Sequence, residues 1–263
     1  MSLLYPLCSS SKGNAVFLGE RDAGILIDAG ISVRQFKHSL ALAGIEPPAV
    51  RAIFITHEHS DHIRGLSSLV SLLQVPVYAS KETLEALIRK DIFPYQSTIC
   101  EIRRSTAQVA GMEIRAFPIS HDAAGPQCYT VTSESGRKAC VCTDLGRMTP
   151  EILACLSGSS ALLLESNYDP EMLRKGSYPG YLKRRIASQE GHLSNPECAQ
   201  ALAGLFGEGT TRFILGHLSE QNNRPELAFA AALARLDQAG ALLNEDYILQ
   251  VAKPRTMGEF LEF

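Results

Sequence analysis

Residues 52–62 have the sequence Ala52-Ile53-Phe54-Ile55-Thr56-His57-Glu58-His59-Ser60-Asp61-His62. The apolar, β-branched start of this segment predicts a buried strand, and the polar cluster then lies on the loop where that strand ends. The apolar periodicity of Ile63 to Leu73 predicts a helix directly after the cluster. Three imidazoles and a carboxylate at this spacing indicate a site for zinc, manganese or iron, against the alternative of a polar loop with surface histidines.

Composition limits the class of protein. The chain has 263 residues, of which 45% are hydrophobic, and this is enough core for one large domain or two small ones. A net charge of −3 argues against a uniformly basic nucleic-acid-binding protein and still permits a local basic groove. No apolar run approaches the ~20 residues of a membrane span, and the first residues lack the features of a signal peptide. The seven cysteines contain no Cys-x-x-Cys pair, so we expect buried, reduced thiols in a cytoplasmic protein.

The chain outside the cluster predicts two sheets with helices on their outer sides. Three strands, Leu3 to Cys8, Ala15 to Leu18 and Gly24 to Ile27, form a β-meander, with a polar turn at residues 9–14. Capping residues predict helices in both halves of the chain. Residues 91–111 and 168–195 show no clear periodicity, so no helix or strand is predicted for them.

Several strands end in a residue that can bind a metal. In layered α/β structures such strand ends gather at one edge, so these residues are expected to form one site together with the cluster. The predicted metal ligands are His57, His59, Asp61, His62, His121, Asp144 and His217.

Seven ligands exceed the need of a single tetrahedral ion, so we expect two divalent ions. Asp144 would bridge them, His57 and His59 would belong with one ion, and Asp61 and His62 with the other. Two ions ~3.5–4 Å apart can hold a hydroxide nucleophile and bind the oxygens of a phosphoryl group. Because the set contains no cysteine, manganese is a candidate beside zinc. Asp28, at the end of the third strand, could orient a metal-bound histidine or could be an ordinary turn residue.

The signature from Thr56 to His62, followed in order by His121, Asp144 and His217, resembles that of the metallo-β-lactamase superfamily. The segment Leu26 to Gly30 is similar to the upstream strand and aspartate of the same superfamily. The resemblance covers nearly the whole chain. It implies an α/β fold, a four-layer αββα sandwich formed by one hydrolase domain over residues 1–263, with a dinuclear site between the sheet edges.

Further segments resemble the YycJ/WalJ-type subfamily, whose members are described as DNA exonucleases. These segments are Cys8 to Asn14, Glu165 to Asp169, Gly191 to Asn195 and Gly216 to Asn223. The resemblance implies a phosphodiesterase that acts on DNA from a 5′ end, with Asp61 as a catalytic residue. Glu165 and His192 also resemble the paired loops of tRNase Z-type phosphodiesterases, which implies that they protonate the leaving oxygen or stabilise the transition state. A capping-loop histidine on the surface is the alternative for His192.

Candidate substrate-binding residues lie in polar loops and in one basic segment. Hydroxyl and amide groups of the first loop can donate to a phosphate or a terminal nucleotide, and aromatic residues beside cations suit base stacking and phosphate contact. The predicted residues are Ser10, Ser11, Asn14, Tyr178, Lys183, Arg184 and Asn222. Asp144 and His217 are only 73 residues apart, which leaves no room for the inserted domain of β-CASP nucleases. The substrate must therefore be held by local loops or by an oligomer.

Four other functions are alternatives to a DNA nuclease. A small-molecule hydrolase of the thioesterase or lactamase type would give Glu165 and His192 no obvious task. An RNA-processing nuclease would use the same site. A di-iron redox protein of this fold typically has a glutamate where His59 stands. A non-catalytic binding module is disfavoured by the full set of ligands.

Overall fold

Two seven-stranded sheets form the centre of the fold in a computed structural model, which describes residues 1–253 and 260–263. The strands of the first sheet are β1 (Leu3–Ser10), β2 (Gly13–Gly19), β3 (Gly24–Ile27), β4 (Val50–Phe54), β5 (Val77–Ala79), β6 (Ile99–Glu101) and β14 (Leu261–Glu262). Those of the second are β7 (Thr106–Val109), β8 (Met112–Pro118), β9 (Gln127–Thr132), β10 (Lys138–Cys142), β11 (Ala161–Glu165), β12 (Arg212–Gly216) and β13 (Ile248–Val251).

Each sheet is antiparallel on one side and parallel on the other. The first has the order β14-β1-β2-β3-β4-β5-β6, and its strands from β3 to β6 are parallel. The second has the order β13-β12-β11-β10-β9-β8-β7, with β10 to β13 parallel. Parallel strands need crossover connections, which is why the helices follow the parallel strands in sequence.

Helices cover the outer face of each sheet. They are α1 (Val33–Leu42), α2 (Ser60–Ile63), α3 (Leu66–Leu73), α4 (Lys81–Arg89), α5 (Pro150–Leu156), α6 (Pro170–Lys175), α7 (Gly180–Ile186), α8 (Asn195–Gly207) and α9 (Pro225–Gln238). One apolar cluster packs α1, α3 and α4 on the first sheet, and another packs α5, α8 and α9 on the second. None of the described helices is both long and apolar enough to cross a membrane.

A third apolar cluster joins the two sheets face to face. Alternate side chains of a strand point to opposite faces, so Leu4 and Ile114 enter this inter-sheet core while Leu3 and Phe117 face the helices. The layers therefore follow the order helix, sheet, sheet, helix. This is the αββα architecture expected from the sequence.

All seven cysteines lie among the described residues as thiols, and none of them is in a disulfide bond. Five of them are buried, as expected for reduced core thiols, and the two others, Cys100 and Cys155, are half-buried.

Several local expectations were wrong. The polar turn at residues 9–14 is shorter, because β1 extends to Ser10 and β2 begins at Gly13. The helix expected from Ile63 to Leu73 is two helices, α2 and α3, and α2 already contains Asp61 and His62. Gly65 lies at the break, where a Cβ atom would approach the carbonyl oxygen of Ile31 to 1.8 Å.

The two unassigned segments contain short elements. Residues 91–111 include β6 and β7, and residues 168–195 include α6 and α7. These elements bury few apolar side chains, so their sequences carry little periodic signal.

Candidate metal centre

The predicted ligands meet at one end of the sandwich. His57, His121, Asp144 and His217 follow the carboxyl ends of β4, β8, β10 and β12. His59 lies in the loop after β4, and the next turn of chain, α2, supplies Asp61 and His62. The loop after β3 approaches α2 closely, since a Cβ atom on Gly30 would lie 1.6 Å from the carbonyl oxygen of Asp61. The two sheets thus contribute to the same cluster, as the sequence predicted.

The first group of ligand atoms belongs to His57, His59 and His121. Nδ1 of His59 lies 3.3 Å from Nε2 of His121. Two nitrogens that bind the same tetrahedral zinc ion, each at ~2.0–2.1 Å, would be roughly 3.3 Å apart. The spacing therefore fits two ligands of a single ion.

The second group belongs to Asp61, His62 and His217. Oδ2 of Asp61 is 3.4 Å from Nε2 of His62 and 3.5 Å from Nε2 of His217. Asp144 lies between the two groups, with Oδ2 3.1 Å from Nε2 of His62 and Oδ1 3.6 Å from Nε2 of both His121 and His217. Its carboxylate is therefore in position to bridge two ions.

Hydrogen bonds orient the histidine rings. Asp28 accepts from Nδ1 of His62 at 2.7 Å, and the carbonyl oxygen of Gly191 accepts from Nδ1 of His121 at 3.1 Å. In each ring this leaves Nε2 for the cluster, the usual arrangement around a protein-bound metal. Asp28, which the sequence left between two roles, is 2% exposed and also accepts hydrogen bonds from the amide and hydroxyl of Thr56.

One buried ligand atom, Nε2 of His57, lacks a hydrogen bond within the described part of the chain. An unpaired buried polar atom is costly, and a cation between His57 and Asp144 would satisfy it. Burial, together with the charge of His62, holds the pKa of His57 well below its usual range, so the ring is a neutral ligand. The donor set, nitrogen and carboxylate oxygen without thiolate, fits divalent zinc or manganese.

The carboxylates give the centre its negative charge. Burial opposes ionisation of Asp144, but His217 and His62 outweigh it and hold the pKa of Asp144 well below its usual range. Burial likewise opposes protonation of His217, yet Asp144, Asp61 and Glu165 raise its pKa to about 10. A cation that replaces the proton of His217 would meet the same negative field, which favours metal binding.

Three residues of the centre adopt the left-handed backbone conformation. The φ angles of Asp28, Asp144 and His217 are 61°, 58° and 53°. Such conformations cost of order 1–3 kcal/mol for each residue without a compensating interaction. All three side chains lie within the cluster, so the strain places ligands and their orienting groups at the strand ends.

Glu165 and His192 lie beside the second group. Oε1 of Glu165 is 2.8 Å from Nδ1 of His192 and 2.7 Å from Nδ1 of His217, and Oε2 accepts from the amides of Leu145 and Leu193 at 2.8 and 3.1 Å. Burial raises the pKa of Glu165, but His192 and His217 lower it more, to about 2. This carboxylate is fully buried. It therefore positions the two histidines, and only His192 can face a substrate.

The predicted substrate-binding residues of the first loop differ in their surroundings. Ser11 is exposed, whereas Ser10 and Asn14 are buried. The amide of Asn14 donates to the carbonyl oxygen of Ser10 at 2.9 Å and to Oδ2 of Asp61 at 3.3 Å. Asn14 thus supports the centre itself, and of these three residues only Ser11 is exposed to a ligand.

Of the other predicted substrate-binding residues, Tyr178, Lys183 and Arg184 lie at or near α7, and Asn222 lies in the loop after β12. Tyr178 packs against an apolar cluster that includes Leu173 and Ile186, and the amine of Lys183 donates to the carbonyl oxygen of Arg174 at 2.8 Å. Arg184 is exposed. Asn222 is buried, and its Nδ2 atom has no hydrogen-bond partner among the described residues.

Sequence reasoning missed the side chains that hold the site loops together. Asn223 is 5% exposed, and its amide donates to the carbonyl oxygens of Ser166 and Asn167 at 2.8 and 3.1 Å. Its Oδ1 accepts from Asn195 at 2.9 Å, and the amide of Asn167 donates to the carbonyl oxygen of His217 at 2.8 Å. These bonds join the loops after β11 and β12 and the start of α8. The segments that contain these asparagines resemble the YycJ/WalJ-type subfamily, but the loops are distant in sequence, so the bonds between them were not predicted.

Comparison with known proteins agrees with this architecture. A family model described as "Beta-lactamase superfamily domain" matches residues 24–218. Exodeoxyribonuclease YycJ of Bacillus anthracis is 34% identical over 251 residues, which cover 95% of this chain and 94% of the relative. Exodeoxyribonuclease WalJ of Streptococcus pneumoniae is 34% identical over 254 residues, with the same coverage of both chains.

A solved structure shows the same fold. The metallo-β-lactamase fold protein YhfI from Bacillus subtilis has a TM-score of 0.73 and is 13% identical, and the match covers 100% of this chain and 99% of that one. The matches to YycJ and WalJ extend over nearly the whole chain. Together with the family model, they assign the chain to a narrower group of proteins than the fold match does. The chain belongs to the metallo-β-lactamase superfamily, and within it is a YycJ/WalJ-like, metal-dependent hydrolase.

Proposed function

We propose that this hydrolase is a phosphodiesterase that degrades DNA from a 5′ end and uses two divalent ions, zinc or manganese. The observation that carries the proposal is the hydrogen-bonded pair of buried Glu165 and partly exposed His192 beside the two groups of ligands. A proton donor at this place is needed to expel an alkoxide leaving group, as in a phosphodiester. The names of the relatives YycJ and WalJ support DNA as the substrate, and the family resemblance supports the 5′ end.

The proposed division of the ligands between the ions follows two of the close groups that their atoms form. His57, His59 and His121 would hold one ion and Asp61, His62 and His217 the other, with Asp144 shared. When bound, two ions would supply a nucleophile at neutral pH and stabilise the charge that develops on the phosphate oxygens.

The protein's own groups would carry the remaining steps. A carboxylate oxygen of Glu165 accepts from Nδ1 of His192, so Nδ1 carries a proton and the ring is held in one orientation. In its protonated form, His192 would donate from Nε2 to the leaving oxygen. Glu165 acts through the two histidines that it orients. We also propose that the protein is cytoplasmic, which the reduced, disulfide-free cysteines support. We further propose that residues 1–263 form one domain, which the shared inter-sheet core supports.

A nuclease panel tests this function. Protein loaded with zinc or manganese is incubated with linear DNA that carries a label at the 5′ or the 3′ end, and with RNA of the same sequence. We expect labelled mononucleotide to appear first from the 5′-labelled DNA, and Asp61→Ala to abolish its release. Retained activity in Asp61→Ala would contradict the mechanism, and preferred cleavage of RNA would contradict the substrate.

A second comparison separates the phosphodiesterase from a small-molecule hydrolase. Turnover of bis-p-nitrophenyl phosphate is measured beside turnover of a thioester with the same preparation. We expect the phosphodiester to be preferred. A strong preference for the thioester would reject the nuclease.

A further inference from the structure

An open groove of about 770 Å³ leads away from the metal centre. It lies on the helix-facing side of the second sheet, between β8 and α5, and His121 lines it where it meets the centre. The same end is bordered by Glu190, whose neighbour Gly191 bonds to His121. The groove therefore ends beside the site, next to the loop that carries His192.

Arginine side chains give the groove a positive character. Arg104, Arg115 and Arg147 line it, against the two glutamates Glu151 and Glu190. All three arginines are exposed. Within residues 1–253 and 260–263, neither Arg104 nor Arg115 forms an ion pair, although the chain as a whole has a net charge of −3. Unpaired arginines grouped on a negatively charged protein favour an anionic ligand.

The floor of the groove is apolar and extended. Alternate residues of a strand share a face, so Arg115 and Phe117 lie on the same side of β8, and Ile119 and Ile152 add to the floor. The stretch from Arg115 to His121 is on the order of 20 Å long if the chain is extended, given the rise per residue of a strand. This length, with cations above an apolar floor, suits the backbone of a single nucleic-acid strand over a few nucleotides.

We propose that this arginine groove binds the part of the substrate strand that continues beyond the cleaved phosphate. The proposal rests on the proposed function, and it adds the path of the strand. The groove ends beside the loop that carries His192, and its arginines would bind phosphates of the strand that remains after each cleavage.

The test compares a substrate that fills the groove with one that does not. The double variant Arg104→Gln/Arg115→Gln removes two exposed charges without opening the core. The control is Arg51→Gln/Arg137→Gln, which removes two exposed arginines at the opposite end of the strands. Each metal-loaded protein is assayed on a labelled single-stranded oligodeoxythymidylate and on bis-p-nitrophenyl phosphate, which has no strand to place in the groove.

We expect kcat/KM on the oligonucleotide to fall about tenfold for each arginine lost, since hydrogen bonds to charged groups are among the stronger ones. The slope of log kcat/KM against log salt concentration should become shallower by about 1.4, or about 0.7 for each phosphate contact to a single strand. Hydrolysis of bis-p-nitrophenyl phosphate should be unchanged, and the control variant should match the wild type on both substrates. An oligonucleotide rate and salt slope equal to those of the wild type would overturn the proposed groove.

An inhibition assay separates failure of the groove from failure of the proposed function. Unlabelled oligodeoxythymidylate is added as a competitor of bis-p-nitrophenyl phosphate hydrolysis. We expect it to inhibit the wild type and to inhibit Arg104→Gln/Arg115→Gln much more weakly. Equal inhibition of both would reject the groove alone, and no inhibition of the wild type would reject a nucleic-acid substrate and the groove together. Stronger inhibition by the matching RNA would keep the groove and change the substrate.

Discussion

The substitution His192→Gln isolates the proton donor from the rest of the centre. It removes the group proposed to protonate the leaving oxygen and leaves Glu165 free to hold His217. Loss of a general acid costs roughly 10²–10⁴-fold in rate when the leaving group needs a proton. DNA has such a leaving group. The p-nitrophenolate of bis-p-nitrophenyl phosphate departs without one, so its hydrolysis should stay near the wild-type rate.

The companion substitution Glu165→Gln should act on both substrates. Glu165 accepts four hydrogen bonds, and a glutamine amide can accept only on its oxygen side. Two buried donors then lose their acceptor, which destabilises the fold by roughly 2–6 kcal/mol at about 1–3 kcal/mol each. If the two donors that lose their acceptor are the imidazoles of His192 and His217, then His217 is no longer held in its orientation. Metal affinity should then fall about 10–100-fold. Excess metal should then restore hydrolysis of the activated substrate but not of DNA.

Both variants are measured by steady-state kinetics on the two substrates over a metal titration, with melting temperatures recorded in parallel. His38→Gln is the matched control, since His38 is an exposed residue of α1 outside the centre. It should behave as the wild type. The reasoning is refuted if His192→Gln lowers the rates on DNA and on bis-p-nitrophenyl phosphate by the same factor, or leaves the rate on DNA unchanged.

Three further predictions concern stability and metal binding. Zinc or manganese at 100 times its Kd should add about 2.7 kcal/mol of stability, hence roughly 5–10 °C in melting temperature by calorimetry; an unchanged melting temperature would argue against a metal at the predicted ligands. Asn223→Ala should lower the free energy of unfolding by about 2–4 kcal/mol in urea titrations, because several buried groups lose a partner, and a loss below 0.5 kcal/mol would contradict its role between the loops. Gly30→Ala should melt far below the wild type, since its Cβ would collide with the carbonyl oxygen of Asp61. In Gly204→Ala, which lies inside α8 with open space around the position, the free energy of unfolding should rise by about 0.4–1 kcal/mol. Similar melting temperatures for both variants would rule out the close approach at Gly30.

The sequence predicted the site residues that are close together in the chain and those that follow the end of a strand. The cluster from His57 to His62 is contiguous, and His121, Asp144 and His217 each follow an apolar run that is recognisable by itself. Each apolar run identified a strand, and the αββα order then followed from the family resemblance. The pairing of Glu165 with His192 came from that resemblance as well, since 27 residues separate them.

What the sequence did not predict depends on tertiary contacts or on weak periodicity. The hydroxyl of Ser9 accepts from the amide of His217 across 208 residues, a contact for which no local pattern exists. The strands β6 and β7 have exposed and half-buried residues only, so their apolar alternation is faint. Asn14 was predicted to contact substrate because polar turns often do. Its burial against Asp61 was set by the packing of β2 on α2.

The measurement that tests the account most directly is hydrolysis of 5′-labelled linear DNA as a function of the metal bound to each chain. Protein stripped by a chelator is titrated with zinc or manganese, and bound metal is counted by elemental analysis. We expect no release of mononucleotide without metal and full activity at two ions per chain. Activity that persists after the metal is removed, or a protein with two bound ions that leaves DNA intact, would contradict it.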